Sequence, residues 1–191
     1  MRNTLKLGLF LLLIAGIAGL GIAYVNELTQ PLIAAQQEEE QLASLKEVYA
    51  EAENVVDESE QYLDENTGSI VTQVKVAYQG DDPVGVIYLV EPDGYSGKIQ
   101  LMAGFDIATK KMTGIKVLSQ TETPGLGSNA QESFFTERFK GKTVEKPLEI
   151  VKKEPVDDNQ VLAITSATIT SKAVANGVNA AREHFMENFL Q

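Results

Sequence analysis

The sequence predicts an α+β domain carried on a single N-terminal membrane helix. Three observations predict it: an uncharged run of twenty residues from Leu7 to Asn26, short alternating apolar stretches between Val71 and Val117, and an amphipathic helical pattern that closes the chain. At 191 residues, 43% hydrophobic and 23% charged, the chain is long enough for one domain with a buried core plus a short extra element. Two large domains are excluded.

The elements follow in order. Residues 1–6 form a tail bearing Arg2 and Lys6, and residues 7–26 an anchor that as a helix spans about 30 Å of hydrocarbon. Gly16, Gly19 and Gly21 would let a neighbouring membrane helix approach closely. A cleaved secretory signal is the alternative, with Ala15, Ala18 and Ala23 as small residues for a peptidase, but the run exceeds the usual signal core. Both readings keep Arg2 and Lys6 in the cytoplasm and export everything from Glu27 onward, which carries 14 basic residues against 27 acidic ones, a charge of −13.

Residues 27–70 read as an amphipathic helix and linker. From Leu32 to about Glu53 the residues Leu42, Leu45, Val48, Tyr49 and Ala52 recur at helical spacing, Glu38, Glu39 and Glu40 face water, and Pro31 suits the first turn. Residues 71–191 form the domain. Its strands are predicted at Val71–Val76, Gly85–Val90, Gly97–Phe105 and Met112–Val117, with turns at Gly80-Asp81-Asp82-Pro83, Pro92-Asp93-Gly94 and Thr109-Lys110-Lys111. The sheet is therefore mostly antiparallel and flanked by helices. Ala130 to Phe139 reads as a short helix, Lys142 to Pro155 as a polar connection, and the last helix presents Ala173, Val174, Gly177, Val178, Ala181, Phe185 and Phe189 on one face. His184 beside that stripe is read as structural, and Asp157 with Asp158 as a solvated loop.

Composition removes several function classes. A formal net charge of −11 argues against nucleic acid as a partner. With no cysteine and one histidine, the chain has no disulfide, thiolate metal site, iron–sulfur cluster or bis-histidine haem of its own. No Ser-His-Asp arrangement is plausible around His184 alone, so neither a catalytic residue nor a metal ligand is predicted.

Two segments exceed what scaffolding needs. In Glu122-Thr123-Pro124-Gly125-Leu126-Gly127, Pro124 and Gly125 suit the middle of a type II turn, and the glycines admit close approach of a planar or anionic ligand; a plain tight turn explains Pro-Gly equally well. In Thr165 to Ser171 five of seven residues carry hydroxyls and run directly into the last helix. Thr170 or Ser171 can cap that helix, and Lys172 with the backbone donors favours a phosphate there, but one cap needs one hydroxyl.

Together these segments resemble the G subunit of Rnf-type ion-translocating ferredoxin:NAD oxidoreductases, a flavoprotein family related to the C subunit of the Na⁺-translocating NADH:quinone reductase. The resemblance covers nearly the whole chain: the anchor, Gly94-Tyr-Ser-Gly97 before a strand, the Pro-Gly-Leu-Gly turn, and Ser166-Ala167-Thr168 before the final helix. It implies an extracytoplasmic FMN-binding domain on a single-pass anchor in the cell (inner) membrane, with the N-terminus cytoplasmic. It also implies FMN joined through its phosphate to Thr168 by a separate flavin transferase that uses FAD. Ser166 stands where that family frequently has glycine, and Leu162 where an acidic residue often precedes the motif.

By the same resemblance Glu122, Thr123, Gly125 and Leu126 line the phosphate and ring, Ser166 and Ala167 flank the attachment point, and Thr170 and Lys172 lie within reach of the phosphate. Tyr95 and Gly97 lie close by, although Tyr95 reads equally well as a turn residue packed on the sheet. The implied function is an electron relay between cofactors of a complex whose partners are other membrane and iron–sulfur or flavin subunits, coupled to Na⁺ or H⁺ movement. One glycine-rich helix without an intramembrane charge carries no ions unaided, so pumping belongs to the partners. The C-type subunit of the quinone reductase is the first alternative, and a non-redox extracytoplasmic scaffold or binding module is the second.

Overall fold

The computed structural model describes residues 2–49, 54–63, 70–155 and 157–190. It divides into two compact units, Met1–Leu42 and Ala43–Gln191. Helix α1 runs Arg2–Val48 and contributes its last turns to the second unit. Within it Lys6–Ile33, 28 residues, is long and apolar enough to cross a membrane. The large apolar side chains from Leu7 to Ile33 are exposed, an arrangement that lipid favours and water penalises.

One expectation is corrected here. Pro31 does not open a second helix but sits inside a continuous α1. Proline removes a single backbone bond and kinks or breaks only where neighbouring turns cannot compensate, and here long helical runs on both sides carry the helix past it. The faces expected of Glu38, Glu39, Glu40 and Leu42, the place of Ala52 and residues 64–69 of the linker lie outside the described residues.

The second unit is built on a five-stranded antiparallel meander in the order β1 (Asn54–Asp57), β2 (Val71–Gln79), β3 (Asp82–Val90), β4 (Gln100–Asp106) and β5 (Lys111–Ser119). A one-turn helix α2 (Ser59–Tyr62) follows β1. Each strand pairs with its chain neighbour, through short turns from β2 to β3 and from β4 to β5 and through longer connections for the other two pairs. Asp82 and Pro83, expected in a turn, begin β3, while Gly97 to Ile99 precede β4 instead of opening it.

Strand β3 is buried on both faces, which is why Val84 to Val90 reads as a nearly unbroken apolar run. Val86, Tyr88 and Val90 point toward helix α4 (Thr168–Phe189), whose Val174, Val178, Ala181 and Phe185 complete the main core. Ile87 and Leu89 point to the opposite face, where Leu45, Val48 and Tyr49 at the end of α1 cover them. Gly85 and Gly104 make room there: a Cβ on Gly85 would lie 2.2 Å from the Tyr49 ring, and one on Gly104 2.5 Å from Val48. Tyr49 then donates its hydroxyl to Asp106 at 2.8 Å.

His184 is buried, as its place beside the α4 stripe suggests. Its Nε2 faces the Tyr62 carbonyl at 3.0 Å and must donate, which leaves Nδ1 of the neutral ring to accept from the Tyr88 hydroxyl at 3.0 Å. Burial pushes the Tyr88 phenol far above its ordinary value, so it remains a donor at any working pH.

The segment between β5 and α4 is less regular than expected. Ala130 to Phe139 is two 3-10 turns, Gly127–Gln131 and Glu137–Phe139, around a single helical turn α3 (Ser133–Thr136). Within the expected polar connection lies β6 (Glu149–Val151), which pairs in parallel with β7 (Gln160–Leu162).

Candidate functional site

The loop before α4 is fixed by its own hydroxyls. Ser171 Oγ accepts from Ile164 N at 2.9 Å and donates to the Ala167 carbonyl at 2.9 Å, tying the loop to the helix it enters. Between those anchors Ser166 takes φ +63°, in the left-handed region that glycine occupies without strain. The helix starts at Thr168 with Ala167 in the N-cap place and no side chain capping it. The expected cap by Thr170 or Ser171 is thus corrected: both lie inside the first turn, Ser171 is committed to the loop, and Thr170 is turned toward Glu122.

Glu122 is the second anchor. It is 5% exposed, and its Oε1 accepts the backbone N–H of Tyr95 at 2.9 Å and of Ser96 at 2.8 Å. Its Oε2 accepts the Thr170 hydroxyl. The loop that offers the two N–H groups is closed by Gly94 N donating to the Gly97 carbonyl at 2.8 Å, forming a small concave donor nest. Glycines surround the carboxyl by necessity: a Cβ on Gly94 would stand 2.6 Å from Oε1, and one on Gly127 2.5 Å from Oε2. The intervening Thr123-Pro124-Gly125-Leu126 segment is a type II turn, with Gly125 at φ +73° and Leu126 N donating to the Thr123 carbonyl at 3.1 Å. Gly125 N donates to Ser128 Oγ at 2.9 Å.

Two clefts meet at the start of α4. The first, about 570 Å³, is bounded by Tyr95, Glu122 and Thr123 on one side and by Ser166, Ala167 and Thr168 on the other; Leu126 and Thr170 also line it. Gly127 and Ile169 line it too and were not singled out from sequence. Gly97, Gly125 and Lys172 line neither this cleft nor the second. Three of the walls are apolar and open to solvent: Tyr95 is 68% exposed, Ile169 56% and Leu126 40%. The second cleft, also about 570 Å³, shares Ser166 and Thr168 with the first and reaches Lys152 and Lys153. A third cavity of about 420 Å³, beneath Tyr49 and bounded by Asp106, Met112 and Lys140, contains none of these residues.

The surroundings account for each placement. Arg138 donates to the Leu162 carbonyl at 2.6 Å, holding the end of β7 and hence the loop that follows it, while its guanidinium lies 5.5 Å from the Phe134 ring centre. Among the described residues no group of three or more metal-ligating side chains occurs.

Comparisons with known proteins fall on the same segments. Residues 94–183 match the FMN-binding domain family and residues 1–48 the RnfG N-terminal region. The chain is 30% identical over 187 residues to the G subunit of the Na(+)-translocating ferredoxin:NAD(+) oxidoreductase complex of Acetobacterium woodii, covering 93% of this chain and 89% of that protein. It is 31% identical over 169 residues to the G subunit of the proton-translocating ferredoxin:NAD(+) oxidoreductase complex of Clostridium ljungdahlii, covering 87% and 83%. Among solved structures, the C subunit of the Na(+)-translocating NADH-quinone reductase from Parabacteroides distasonis superimposes with a TM-score of 0.53 at 28% identity, covering 62% of each chain.

Proposed function

The chain belongs to the G-subunit family of ion-translocating oxidoreductase complexes, and from that membership we propose that it carries its FMN as a phosphoester on Thr168. It is an electron-carrying flavoprotein subunit of a ferredoxin:NAD oxidoreductase complex, and its partners are the other subunits of that complex. The relatives include both sodium- and proton-translocating complexes, so either ion is compatible with this subunit.

One observation carries the choice of Thr168. Of the hydroxyls between Thr165 and Ser171, those of Thr170 and Ser171 are consumed by Glu122 and by the loop; Ser166 and Thr168 border both clefts, and of these two Thr168 is the first residue of α4, at its uncapped start. The residues present fit the group. A cleft of this volume lies within the roughly 300–1,000 Å³ of pockets that enclose small ligands, and Tyr95, Leu126 and Ile169 offer exposed apolar surface to a planar ring. The uncapped start of α4 favours a phosphoryl anion at Thr168.

Bound FMN supplies the redox chemistry, in one- or two-electron steps. The chain's residues position it. Glu122 locks the 94–97 loop against α4, Ala167 leaves space beside Thr168, and the apolar walls offer contact to the ring. Attachment by a flavin transferase joins Thr168 Oγ to the flavin-side phosphorus of FAD, breaks the P–O–P bond, releases AMP, and passes the hydroxyl proton to solvent. On an exported domain a covalent link prevents loss of the cofactor by dilution. That export is supported by Arg2 and Lys6 flanking the apolar stretch of α1, with the bilayer as its solvent and the N-terminus cytoplasmic.

The test is in-gel flavin fluorescence after denaturing electrophoresis, comparing wild type with Thr168→Ala, each co-expressed with a flavin transferase. A fluorescent band in the wild type that disappears in the variant is expected. A dark wild-type band, with the transferase active on a control substrate, overturns covalent attachment; a variant as bright as wild type moves the attachment elsewhere.

A further inference from the structure

We propose that the second cleft is the seat of the phosphodiester on Thr168, with Lys152 and Lys153 as its cationic wall. This rests on attachment at Thr168 and adds where the esterified phosphate lies and what neutralises it.

The sequence places these lysines sixteen and fifteen positions before Thr168, and the fold brings them to it. Parallel pairing of β6 with β7 sets Val151 opposite Leu162, and Ala163 N donates to the Val151 carbonyl at 2.8 Å. Parallel strands end at the same edge, so the chain leaving β6 as Lys152-Lys153 emerges beside the chain leaving β7 toward Thr168. The cleft between them is lined by Lys152, Lys153, Thr165, Ser166 and Thr168, with Glu154 its single carboxylate. Its wall therefore carries a net positive charge in a chain whose formal charge is −11.

Both lysines can serve an anion. Each is exposed, and neither is in an ion pair with a described residue, whereas Lys75, Lys98 and Lys116 are paired with acids. The opposite cleft offers the buried carboxyl of Glu122 near Thr168, a poor neighbour for a phosphate and an acceptable one for a ring edge. The two clefts thus divide one ligand at Thr168: apolar walls for the ring, lysines for the phosphate. Lys172, the cation expected from sequence, is exposed on α4 and lines neither cleft.

The experiment uses the flavin-loaded full chain in detergent and records the ³¹P resonance of its phosphodiester. In Lys152→Gln/Lys153→Gln the resonance is expected to move from its wild-type position, in Lys152→Arg/Lys153→Arg to return toward it, and in Lys172→Gln to stay. Because the lysines are exposed, thermal unfolding of the glutamine variant should match wild type. A resonance unmoved in the double variant overturns the seat while leaving attachment intact. So does a variant that loads more slowly but whose resonance is unmoved, because the lysines then act only on the incoming dinucleotide. A wild type without covalent flavin removes the underlying reading and the seat with it.

Discussion

Glu122 and Thr170, 48 residues apart in sequence, are joined by a buried hydrogen bond from the Thr170 hydroxyl to the Glu122 carboxyl. The other oxygen of that carboxyl holds the backbone of Tyr95 and Ser96. One side chain thereby ties together the loop before β4, the turn after β5 and the first turn of α4.

Replacing Glu122 by alanine leaves the buried Thr170 hydroxyl and two half-buried backbone donors unmet, a cost of about 1–3 kcal/mol. Glu122→Gln keeps the acceptor for Tyr95 and Ser96, and its loss should stay below about 1.5 kcal/mol. Denaturant unfolding of the full chain in detergent checks both; equal losses would show that the nest is not held by the carbonyl oxygen.

His184 links Tyr88 in the sheet to the Tyr62 carbonyl. His184→Ala opens a cavity and leaves the Tyr88 hydroxyl without its acceptor, so a loss of about 2–4 kcal/mol is expected. The same unfolding measurement reads it, and a loss under about 1 kcal/mol, the size of one exchanged hydrogen bond, would contradict the buried pairing.

Ser166 holds a left-handed backbone at some cost in stability. Ser166→Gly removes a penalty of about 1–2 kcal/mol and adds an unfolded-state entropy cost of about 0.5–1 kcal/mol, for a net gain of about 0–1.5 kcal/mol. A raised melting temperature is the expected result. A lowered one would mean that Ser166 does not hold φ +63° in solution.

Asp106 gives stability a pH dependence. Although burial alone would raise its pKa, hydrogen bonds from the Thr109 side chain and backbone and from Tyr49 outweigh it and hold the carboxyl below its ordinary value. A depressed folded-state pKa means the contribution is complete above the unfolded value, about 4, and is lost as pH falls through the folded one. Stability of the wild type should therefore decline more steeply below that point than stability of Asp106→Asn, which lacks the titration; Asp57, lowered by Ser59 and Lys75 against the opposing effect of its own burial, adds a second such slope in both proteins.

Much of this fold was legible because its signals are local. The α4 stripe, the apolar pattern of β3 and the turns that follow Gln79 and Asp106 are set by residues a few positions apart. What sequence reading missed is either short or non-local. Strands β6 and β7 have three residues each and are held as strands only by each other, and β1 is a four-residue edge. At the site, Glu122, Leu126, Ser166 and Thr168 were named from the motif segments and line a cleft, but the commitments of Thr170 and Ser171 were not visible, since they depend on Glu122 and on the Ile164–Ala167 loop and not on the cap of α4. Gly127 could have been found from the same turn motif. Lys152 and Lys153 carried no signal at all, because only parallel pairing brings them near Thr168.

The meander also fixes an order of events. Every pairing from β1 to β5 joins neighbours along the chain, so loop closure costs little and the sheet can form before the rest of the chain has docked. Helix α4, which closes the main core from the far end of the chain, arrives last, and its first residue is Thr168. If Thr168 carries the flavin as proposed and its transferase requires the finished loop, loading would occur only on a chain that has completed its core and would record successful folding.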